Sequence, residues 1–205
     1  MATDFDAAAA EWDTPEKVER SRVLAHEILR RVPVQQDWVA LDVGAGTGQL
    51  SWVVGPHVAR MIVTDPSGGM LDVARTRAED DPDRYDVRQV DLTSEPLGEK
   101  VDLVISAMTL HHVPDTQALL QALRETLYPG GWIALADLDA DPENLFHDDD
   151  HDGHRGIDRD DLAARLRDLG FDDVTTETAA TVFKNKHGIE REFSVFLATG
   201  RLPRT

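Results

Sequence analysis

An apolar run that stops at three closely spaced glycines constrains the fold of this chain more than any other feature of the sequence. Residues 38–43 are almost all apolar and predict a buried strand, which ends at the cluster Gly44-Ala45-Gly46-Thr47-Gly48. Residues 50–54 then show a helical pattern. Because glycine has no Cβ, such a loop can turn sharply and bring its backbone close to a ligand. The sequence therefore predicts a strand, a tight turn and a helix, and the turn is either purely structural or a ligand contact.

Strands and helices alternate along most of the chain. Four further strands are predicted, and helical patterns at 70–78 and 116–127 separate some of them; these strands are 61–64, 85–90, 101–106 and 133–136. Parallel neighbours need crossover connections, which are normally helices, so the alternation predicts a doubly wound α/β sheet. After a helix at 160–169, apolar stretches around Val174, Phe183 and 193–198, with a polar loop at 185–188, predict an antiparallel C-terminal hairpin. The expected sheet has seven strands and is mostly parallel.

A length of 205 residues suits one domain spanning 1–205. A helix is predicted to start after Thr14-Pro15 and to end before Pro33, because proline is favoured in the first turn of a helix but not in its interior. Residues 1–33 are thus expected to form a helical cover at the N-terminus. The acidic connection at 139–161 is long enough to be a lid or a substrate loop.

The composition favours some classes of binding partner over others and indicates a cellular location. The chain has 39 acidic against 21 basic residues and a formal charge of −18, which disfavours nucleic acid and favours a small-molecule substrate. It contains no cysteine, so disulfides, thiolate metal sites and a cysteine nucleophile are excluded. No apolar run approaches twenty residues, so no membrane span is expected, and the first residues lack the pattern of a secretory signal. A cytoplasmic location is the expectation.

Acidic residues follow two neighbouring strands of the predicted sheet. The carboxyl ends of parallel strands meet at the edge where such sheets bind ligands. Asp65 ends the second strand, where it either accepts hydrogen bonds from the ribose hydroxyls of an adenosine or caps the next helix. Asp91, followed by Leu92, either faces an adenine amine or is an ordinary loop aspartate. Together with the glycine loop, these residues favour nucleoside binding.

The glycine spacing discriminates between adenosine cofactors. A nicotinamide dinucleotide fingerprint places its third glycine five residues after the first, whereas Gly48 follows Gly44 by four. No Gly-Lys-Ser/Thr sequence follows the loop, which excludes a nucleoside triphosphate P-loop. Asp42, two residues before Gly44, instead suits a cationic ligand.

From Leu41 to Gly48 the chain resembles the first motif of the class I S-adenosylmethionine-dependent methyltransferases, an acid followed by Gly-x-Gly-x-Gly. Further segments similar to the motifs of that family follow in the same order: Asp65 with 70–71, 91–92, 102–106 with 110–113, and 127–131. The layout is most similar to the small-molecule enzymes of ubiquinone and menaquinone biosynthesis. This resemblance implies a Rossmann-like fold and S-adenosylmethionine as the cofactor.

The resemblance also implies which residues bind the cofactor. The acid and the glycine loop of the first motif would contact its methionine end, the acid after the second strand its ribose, and the acid after the third strand its adenine. Residues 106–108 would lie near its sulfonium. The implied set is Asp42, Gly44, Ala45, Gly46, Gly48, Asp65, Pro66, Met70, Asp91, Leu92, Ser106, Ala107 and Met108. In the N-terminal cover, Trp12 either closes over the cofactor or only packs against its neighbours.

The chemistry points to two histidine pairs. Methyl transfer is an in-line displacement, so the enzyme must align the reactants, exclude water and, for some acceptors, remove a proton. His111 and His112 follow the fourth strand and either supply a catalytic base or are structural. His147 and His151 lie in a segment rich in His and Asp that is expected to touch substrate or gate access. A solvated acidic loop is favoured there over a metal site, so no metal is predicted.

The leading interpretation is transfer of a methyl group to an O, N or C atom of a small molecule. No Pro-Cys dipeptide, no Asp/Asn/Ser-Pro-Pro-aromatic motif and no cysteine set is present, which argues against cytosine C5, DNA amino and arsenite acceptors. A non-catalytic protein of the same fold that binds the cofactor or a metal is the alternative. A nicotinamide-dependent oxidoreductase is disfavoured by the glycine spacing and by Asp42.

Overall fold

The computed structural model describes residues 4–146, 153–186 and 189–204, so His147 and His151 lie outside the described residues. The helices are α1 (Phe5–Ala8), α2 (Pro15–Arg31), α3 (Gln49–Val54), α4 (Gly68–Ala78), α5 (Thr116–Thr126) and α6 (Arg159–Asp168). The strands are β1 (Val39–Val43), β2 (Arg60–Asp65), β3 (Tyr85–Gln89), β4 (Val101–Ala107), β5 (Leu127–Leu138), β6 (Asp172–Lys186) and β7 (Ile189–Arg201). Short 3₁₀ turns occupy Ala9–Glu11, Gly55–His57 and Leu110–His112.

The strands form one sheet in the order β3-β2-β1-β4-β5-β7-β6. Strand β1 pairs in parallel with β2 and β4, and β2–β3 and β4–β5 are also parallel pairs. Strand β7 runs antiparallel to both of its neighbours, β5 and β6. The strand order reverses direction at β1 and β4, and ligands of doubly wound sheets bind at the carboxyl end of such a switch point. The predicted fold class, a mostly parallel seven-stranded sheet with an antiparallel C-terminal hairpin, is confirmed.

Helices cover both faces of the sheet because successive strand residues point to opposite sides. On β1, Ala40 belongs to the buried cluster formed with α2, α3 and α4, whereas Leu41 belongs to the cluster formed with α5 and α6. Both residues are fully buried. The central strands are therefore apolar on both faces, as expected for the buried parallel part of a sheet.

Two elements differ from the sequence-based prediction. Strand β5 starts at Leu127 rather than at 133, because residues 128–131 pair irregularly within the strand, opposite a register shift between Val101 and Leu103. Strand β6 continues through residues 185 and 186, which were predicted as loop, whereas 187 and 188 lie outside the described residues. An outer strand needs only backbone pairing and tolerates polar side chains on its solvent face, so the polar composition misled the prediction.

The N-terminal segment, described from residue 4, packs on the sheet. Helix α2 buries Leu24, Ala25 and Ile28. Ahead of it, the carboxylate of Asp6 accepts hydrogen bonds from the Ser67 hydroxyl at 2.6 Å and the Gly69 backbone N–H at 2.8 Å, and these bonds lower the pKa of Asp6. The cover is thus fastened to the start of α4, beside the carboxyl end of β2.

The two ends of the connection at 139–161 lie next to each other. Asp139 forms a parallel bridge with Ile157 and an ion pair with Arg159, so the two ends of the connection are held together. The described residues between them, 140–146 and 153–156, follow the carboxyl end of β5. None of the described helices is long and apolar enough to cross a membrane.

Candidate functional site

A cavity opens at the carboxyl ends of β1, β2 and β4. Its lining combines the glycine loop, the strand-end acids, part of the N-terminal cover and the turn after β4. Of the predicted residues, the cavity wall includes Trp12, Asp42, Gly44, Ala45, Gly46, Asp65, Pro66, Met70, Asp91, Leu92, Ala107, Met108 and His112. The topology thus brings together residues that are up to a hundred positions apart in the sequence.

The glycine loop lies where the sheet leaves room for a ligand. Gly44 and Gly46 have φ of +63° and +56°, in the left-handed region that favours glycine. A Cβ on Gly44 would lie 2.1 Å from the Thr109 Cγ2, so this glycine is needed for packing. A Cβ on Gly46 would meet nothing closer than the Trp12 ring nitrogen at 3.8 Å, so it would project into the cavity. The bare backbone at Gly46 is therefore a surface against which a ligand can lie.

Asp65 connects the glycine loop to the loop after β2. One carboxylate oxygen, Oδ2, accepts a hydrogen bond from the Gly46 backbone N–H at 2.8 Å, and Oδ1 accepts one from the Ser67 backbone N–H at 2.8 Å. The side chain is largely buried, and burial raises its pKa although both hydrogen bonds oppose that shift. Each oxygen keeps a further lone pair for a ligand hydroxyl.

Asp42 is a buried carboxyl on the wall of the cavity. Its Oδ2 accepts a hydrogen bond from the Ser51 hydroxyl at 2.6 Å. Burial raises the pKa of Asp42 to about 7, and the nearby charge of Asp65 adds to the increase. A buried carboxyl with a raised pKa is stabilised in its ionised form by a neighbouring cation. Asp42 therefore favours a positively charged ligand group at this end of the cavity.

Asp91, the acid after β3, is more exposed than Asp42 and Asp65. Asp91 Oδ1 accepts hydrogen bonds from the Thr93 backbone N–H at 2.9 Å and from the Thr93 hydroxyl at 2.6 Å. Among the described residues, no hydrogen bond uses the other oxygen, Oδ2, so it remains available to a ligand amine. The next residue, Leu92, is buried and presents an apolar surface to the cavity.

Ser106, Gly48 and His111 are placed differently from the other predicted residues, because none of the three belongs to the cavity wall. The Ser106 hydroxyl donates to the Val43 carbonyl at 2.7 Å, so this buried side chain joins β4 to β1. Side chains alternate in direction along a strand, which turns Ser106 away while Ala107 lines the cavity. Gly48, with φ +81°, starts helix α3 behind the loop.

The two adjacent histidines have different environments. His111 is buried, and its Nδ1 lies 2.5 Å from Oδ1 of Asp137, a fully buried residue on β5. Oδ2 of Asp137 accepts a hydrogen bond from the His111 backbone N–H at 3.3 Å. His112 lines the cavity, with its ring centroid 4.1 Å from that of His111 and 5.2 Å from that of Phe5. Only His112 of this pair is therefore placed to meet a substrate.

The N-terminal cover closes one side of the cavity. Trp12 lines the wall, and Asp13 fastens the cover to the glycine loop by accepting hydrogen bonds from the Thr47 hydroxyl at 2.6 Å and the Gln49 amide at 2.7 Å. Arg77 of α4 forms an ion pair with the same carboxylate at 2.8 Å. Sequence reasoning missed Asp13, although its position directly after Trp12 was a signal.

Sequence reasoning also missed three functional candidates, two on α2 and one on β5. Lys17 and Arg20 of α2 line the cavity, and Asp137 supports His111. The spacing of Lys17 and Arg20, one helical turn apart, places them on one face of the helix. Within the described ranges, no group of three or more His, Asp or Glu side chains has the geometry of a metal site.

Comparison with known proteins shows which family the chain is similar to. A methyltransferase domain family matches residues 41–133, which span β1 to the middle of β5 and include the glycine loop, Asp65 and Asp91. This match, together with the curated relatives, supports the predicted resemblance to class I S-adenosylmethionine-dependent methyltransferases. The ubiquinone biosynthesis O-methyltransferase of Cereibacter sphaeroides is 31% identical over 150 residues, which are 65% of this chain and 60% of that protein. The chain spans less than two thirds of the length of the first curated relatives that it matches.

Solved structures share the architecture of this methyltransferase domain. A putative methyltransferase from Haloferax volcanii, solved in a complex with the Trm112 methyltransferase activator, superposes with a TM-score of 0.81 at 21% identity, over 99% of each chain. The N-methyltransferase NodS of Bradyrhizobium japonicum, in complex with S-adenosylhomocysteine, superposes with a TM-score of 0.70 at 18% identity over 93% of this chain and 89% of NodS. The predicted family resemblance is confirmed, and S-adenosylmethionine is the cofactor of that family.

Proposed function

We propose that this methyltransferase domain transfers a methyl group from S-adenosylmethionine to an O, N or C atom of a small molecule. One observation carries the proposal: the carboxyl ends of β1, β2 and β4 surround a single cavity with the glycine loop, Asp42 and Asp65 on one side and His112 on the other. A cofactor site and a reaction site are therefore continuous. The acidic character of the chain, with a formal charge of −18, further supports an acceptor other than nucleic acid.

The cavity residues fit the parts of this cofactor. The bare backbone at Gly46 leaves room for a ligand, and Asp42 favours a cation, which suits the ammonium and sulfonium groups of the methionine portion. Asp65 has lone pairs for the ribose hydroxyls, and Asp91 Oδ2 is available to the adenine amine. Ala107 and Met108 would border the sulfonium without adding a competing charge.

When bound, the cofactor supplies a methyl carbon activated by a positive sulfonium, and the acceptor displaces S-adenosylhomocysteine from it. The protein aligns the two reactants, which removes much of the entropic part of the barrier. His112 is placed to take the proton of an O–H or N–H acceptor, and Asp137 fixes the neighbouring ring of His111. Trp12 and Phe5 exclude water from one side of the reaction site.

A turnover assay tests the proposed function. The purified chain is incubated with S-adenosylmethionine and a panel of phenols, amines and activated carbon acids, and release of S-adenosylhomocysteine is measured. Production that depends on one acceptor class, and falls in an Asp65→Ala variant, is the expected result. Tight cofactor binding without turnover on any class would instead favour a non-catalytic cofactor-binding protein.

We further propose that this domain acts in the cytoplasm as a single unit. The absence of cysteine from the sequence supports a reducing compartment. The continuous seven-stranded sheet supports one unit, because strands from both halves of the chain share it. Cell fractionation followed by detection of the protein tests the location, and a single cooperative unfolding transition would support the one-unit organisation.

A further inference from the structure

The turn that carries His112 is too short to satisfy its own backbone. It is the 3₁₀ turn Leu110–His112, and two backbone hydrogen bonds of 2.9 and 3.0 Å close it onto the carbonyls of Thr109 and Leu110. A single short turn leaves its last carbonyls without partners inside the turn. The carbonyls of the two residues that flank His112 therefore need donors from elsewhere in the fold.

One residue, His154, supplies a donor to each of these carbonyls. Its backbone N–H donates to the His111 carbonyl at 2.7 Å, and its ring Nε2 donates to the Val113 carbonyl at 3.0 Å. A carbonyl oxygen only accepts hydrogen bonds, so Nε2 of His154 carries a proton. His154 thus holds the chain on both sides of His112, although it lies 41 positions after Val113.

The segment around His154 is itself fixed at the end of β5. The backbone N–H of Ile157 donates to the Leu138 carbonyl at 2.8 Å. Gly156 has φ of +72°, and a Cβ on it would lie 2.1 Å from the carbonyl oxygen of Asp139, so this position requires glycine. His154 therefore presents its two donors from a fixed backbone.

His154 contacts the reaction site only from outside. Its side chain is exposed, and the cavity wall, as far as the chain is described, includes His112 and Val113 but not His154. From β5, Oδ2 of Asp137 accepts a hydrogen bond from the His111 N–H at 3.3 Å. The ring of His154 can be replaced without opening the core, whereas Asp137 is fully buried.

We propose that His154 is a positioning residue for methyl transfer, because its ring hydrogen bond to Val113 fixes the turn that directs His112 at the acceptor. The inference rests on the proposed function, in which His112 takes the acceptor proton. A general base needs a defined distance and direction to the proton that it removes, and a small displacement costs much of the rate. Loss of the ring donor should therefore lower kcat and leave cofactor binding unchanged.

The test compares two side chains of different reach. His154→Gln places an amide N–H close to the position of Nε2 and should keep the hydrogen bond, whereas His154→Asn is one carbon shorter and should lose it. The acceptors are the phenols, amines and activated carbon acids of the turnover assay. We expect kcat to fall about three- to tenfold in His154→Asn and to stay within about twofold of the wild type in His154→Gln.

His26→Asn is the matched control, because His26 is an exposed histidine on α2, away from this turn. It should keep wild-type kcat. Calorimetric titration with S-adenosylhomocysteine should give the same affinity for this control, for both His154 variants and for the wild type.

Two further measurements separate positioning from a purely structural role. In a His112→Ala background, His154→Asn should cause no further loss of kcat, because its effect passes through His112. Three-bond couplings of the His112 side chain, measured in the complex with S-adenosylhomocysteine, should report one χ1 rotamer in the wild type and in His154→Gln. The same couplings should be averaged over several rotamers in His154→Asn.

Several results would overturn the inference. These are wild-type kcat in His154→Asn, equal losses in His154→Asn and His154→Gln, losses that multiply with that of His112→Ala, or unchanged χ1 couplings in His154→Asn. In each case the wild type still turns over an acceptor, so the proposed function stands. If the wild type turns over no acceptor, the proposed function fails and the inference fails with it.

Discussion

The Gly46 backbone N–H donates to Asp65 Oδ2 at 2.8 Å, and this hydrogen bond joins two loops that line the cavity. The residues lie nineteen positions apart, on loops that follow adjacent parallel strands. The same carboxylate also accepts from the Ser67 N–H, so Asp65 holds both loops in place even before a ligand is present. One side chain therefore both orients the two loops and offers acceptors to a ligand.

Replacing Asp65 should weaken cofactor binding in steps. Asp65→Asn keeps the shape but replaces one acceptor oxygen by an amide donor, and Asp65→Ala removes both acceptors. A hydrogen bond to a charged group contributes about 1.5–3 kcal/mol, so we expect affinity losses of about tenfold for Asn and a hundredfold or more for Ala. Calorimetric titration with S-adenosylhomocysteine measures both. Asp72→Asn, an exposed site on α4, is the control and should bind normally.

Two glycines of the loop should respond differently to alanine. Gly44→Ala places a Cβ 2.1 Å from Thr109, so the variant should lose about 2–5 kcal/mol of folding free energy. Gly46→Ala meets no such contact and should lose only about 1–2 kcal/mol, from its positive φ, yet it should bind the cofactor poorly because the methyl projects into the cavity. Thermal unfolding and calorimetry separate the two effects. Wild-type affinity in Gly46→Ala would contradict this placement.

Cofactor affinity should depend on pH through Asp42. Its pKa is about 7 in the folded protein without ligand, and a cationic ligand stabilises the ionised form. Affinity for S-adenosylmethionine should therefore rise as the pH increases toward 7 and level off above it, with a proton released on binding below that pH. Asp42→Asn should remove this dependence. Calorimetry in two buffers with different ionisation enthalpies counts the proton, and an equal pH dependence in the variant would assign it to another group.

Ionisation of the Asp42 carboxyl raises cofactor affinity but lowers the folding stability of the protein without ligand. Its pKa in the folded state lies above the unfolded value of 3.8, so the folded state binds the proton more tightly. Stability from this group is complete below pH 4 and declines as the pH rises to about 7. Compared at several pH values, Asp42→Asn should gain stability relative to the wild type as the pH increases. A constant difference between the two proteins over this range would be inconsistent with the raised pKa.

The two histidines should separate stability from catalysis. His111→Ala removes the partner of a buried carboxylate, Asp137, and should cost about 1–3 kcal/mol of folding free energy. His112→Ala changes a residue on the cavity wall and should mainly lower kcat for acceptors that lose a proton. The fall of kcat at low pH, which reports protonation of the base, should disappear from the pH profile of this variant. Thermal unfolding and kinetics on both variants decide this. If His112→Ala kept full turnover with such an acceptor, water or another residue would be the base.

The parts of the site that depend on local sequence patterns could be predicted, and the parts that depend on tertiary pairing could not. The glycine loop and Asp65 could be predicted to line the cavity because each follows a strand whose apolar run is visible in the sequence, and Asp91 because it ends the next predicted strand. Ser106 was misplaced because the direction of alternating side chains depends on the register of β4 beside β1. Asp137 and Arg20 lie on elements far apart in the chain, and no local pattern reveals that they face the same region.

In the fold, too, features that depend on local sequence patterns could be predicted and features that depend on tertiary pairing could not. Strands β1, β2, β4 and β5 have buried apolar residues, whereas β3 has none that is buried. All five could be predicted because strand and helix patterns alternate along the chain. The start of β5 at Leu127 could not be predicted, because a Pro-Gly-Gly sequence normally indicates a turn. In this protein the turn sequence lies within the strand, opposite a register shift in β4.

Isothermal titration of the purified chain with S-adenosylmethionine, and separately with NAD⁺, tests the central claim most directly. The account predicts saturable one-to-one binding of S-adenosylmethionine and no saturable heat with NAD⁺, because the cavity has the donors and acceptors for the former ligand and lacks the glycine spacing for the latter. Saturable binding of NAD⁺ with no heat from S-adenosylmethionine would contradict the account.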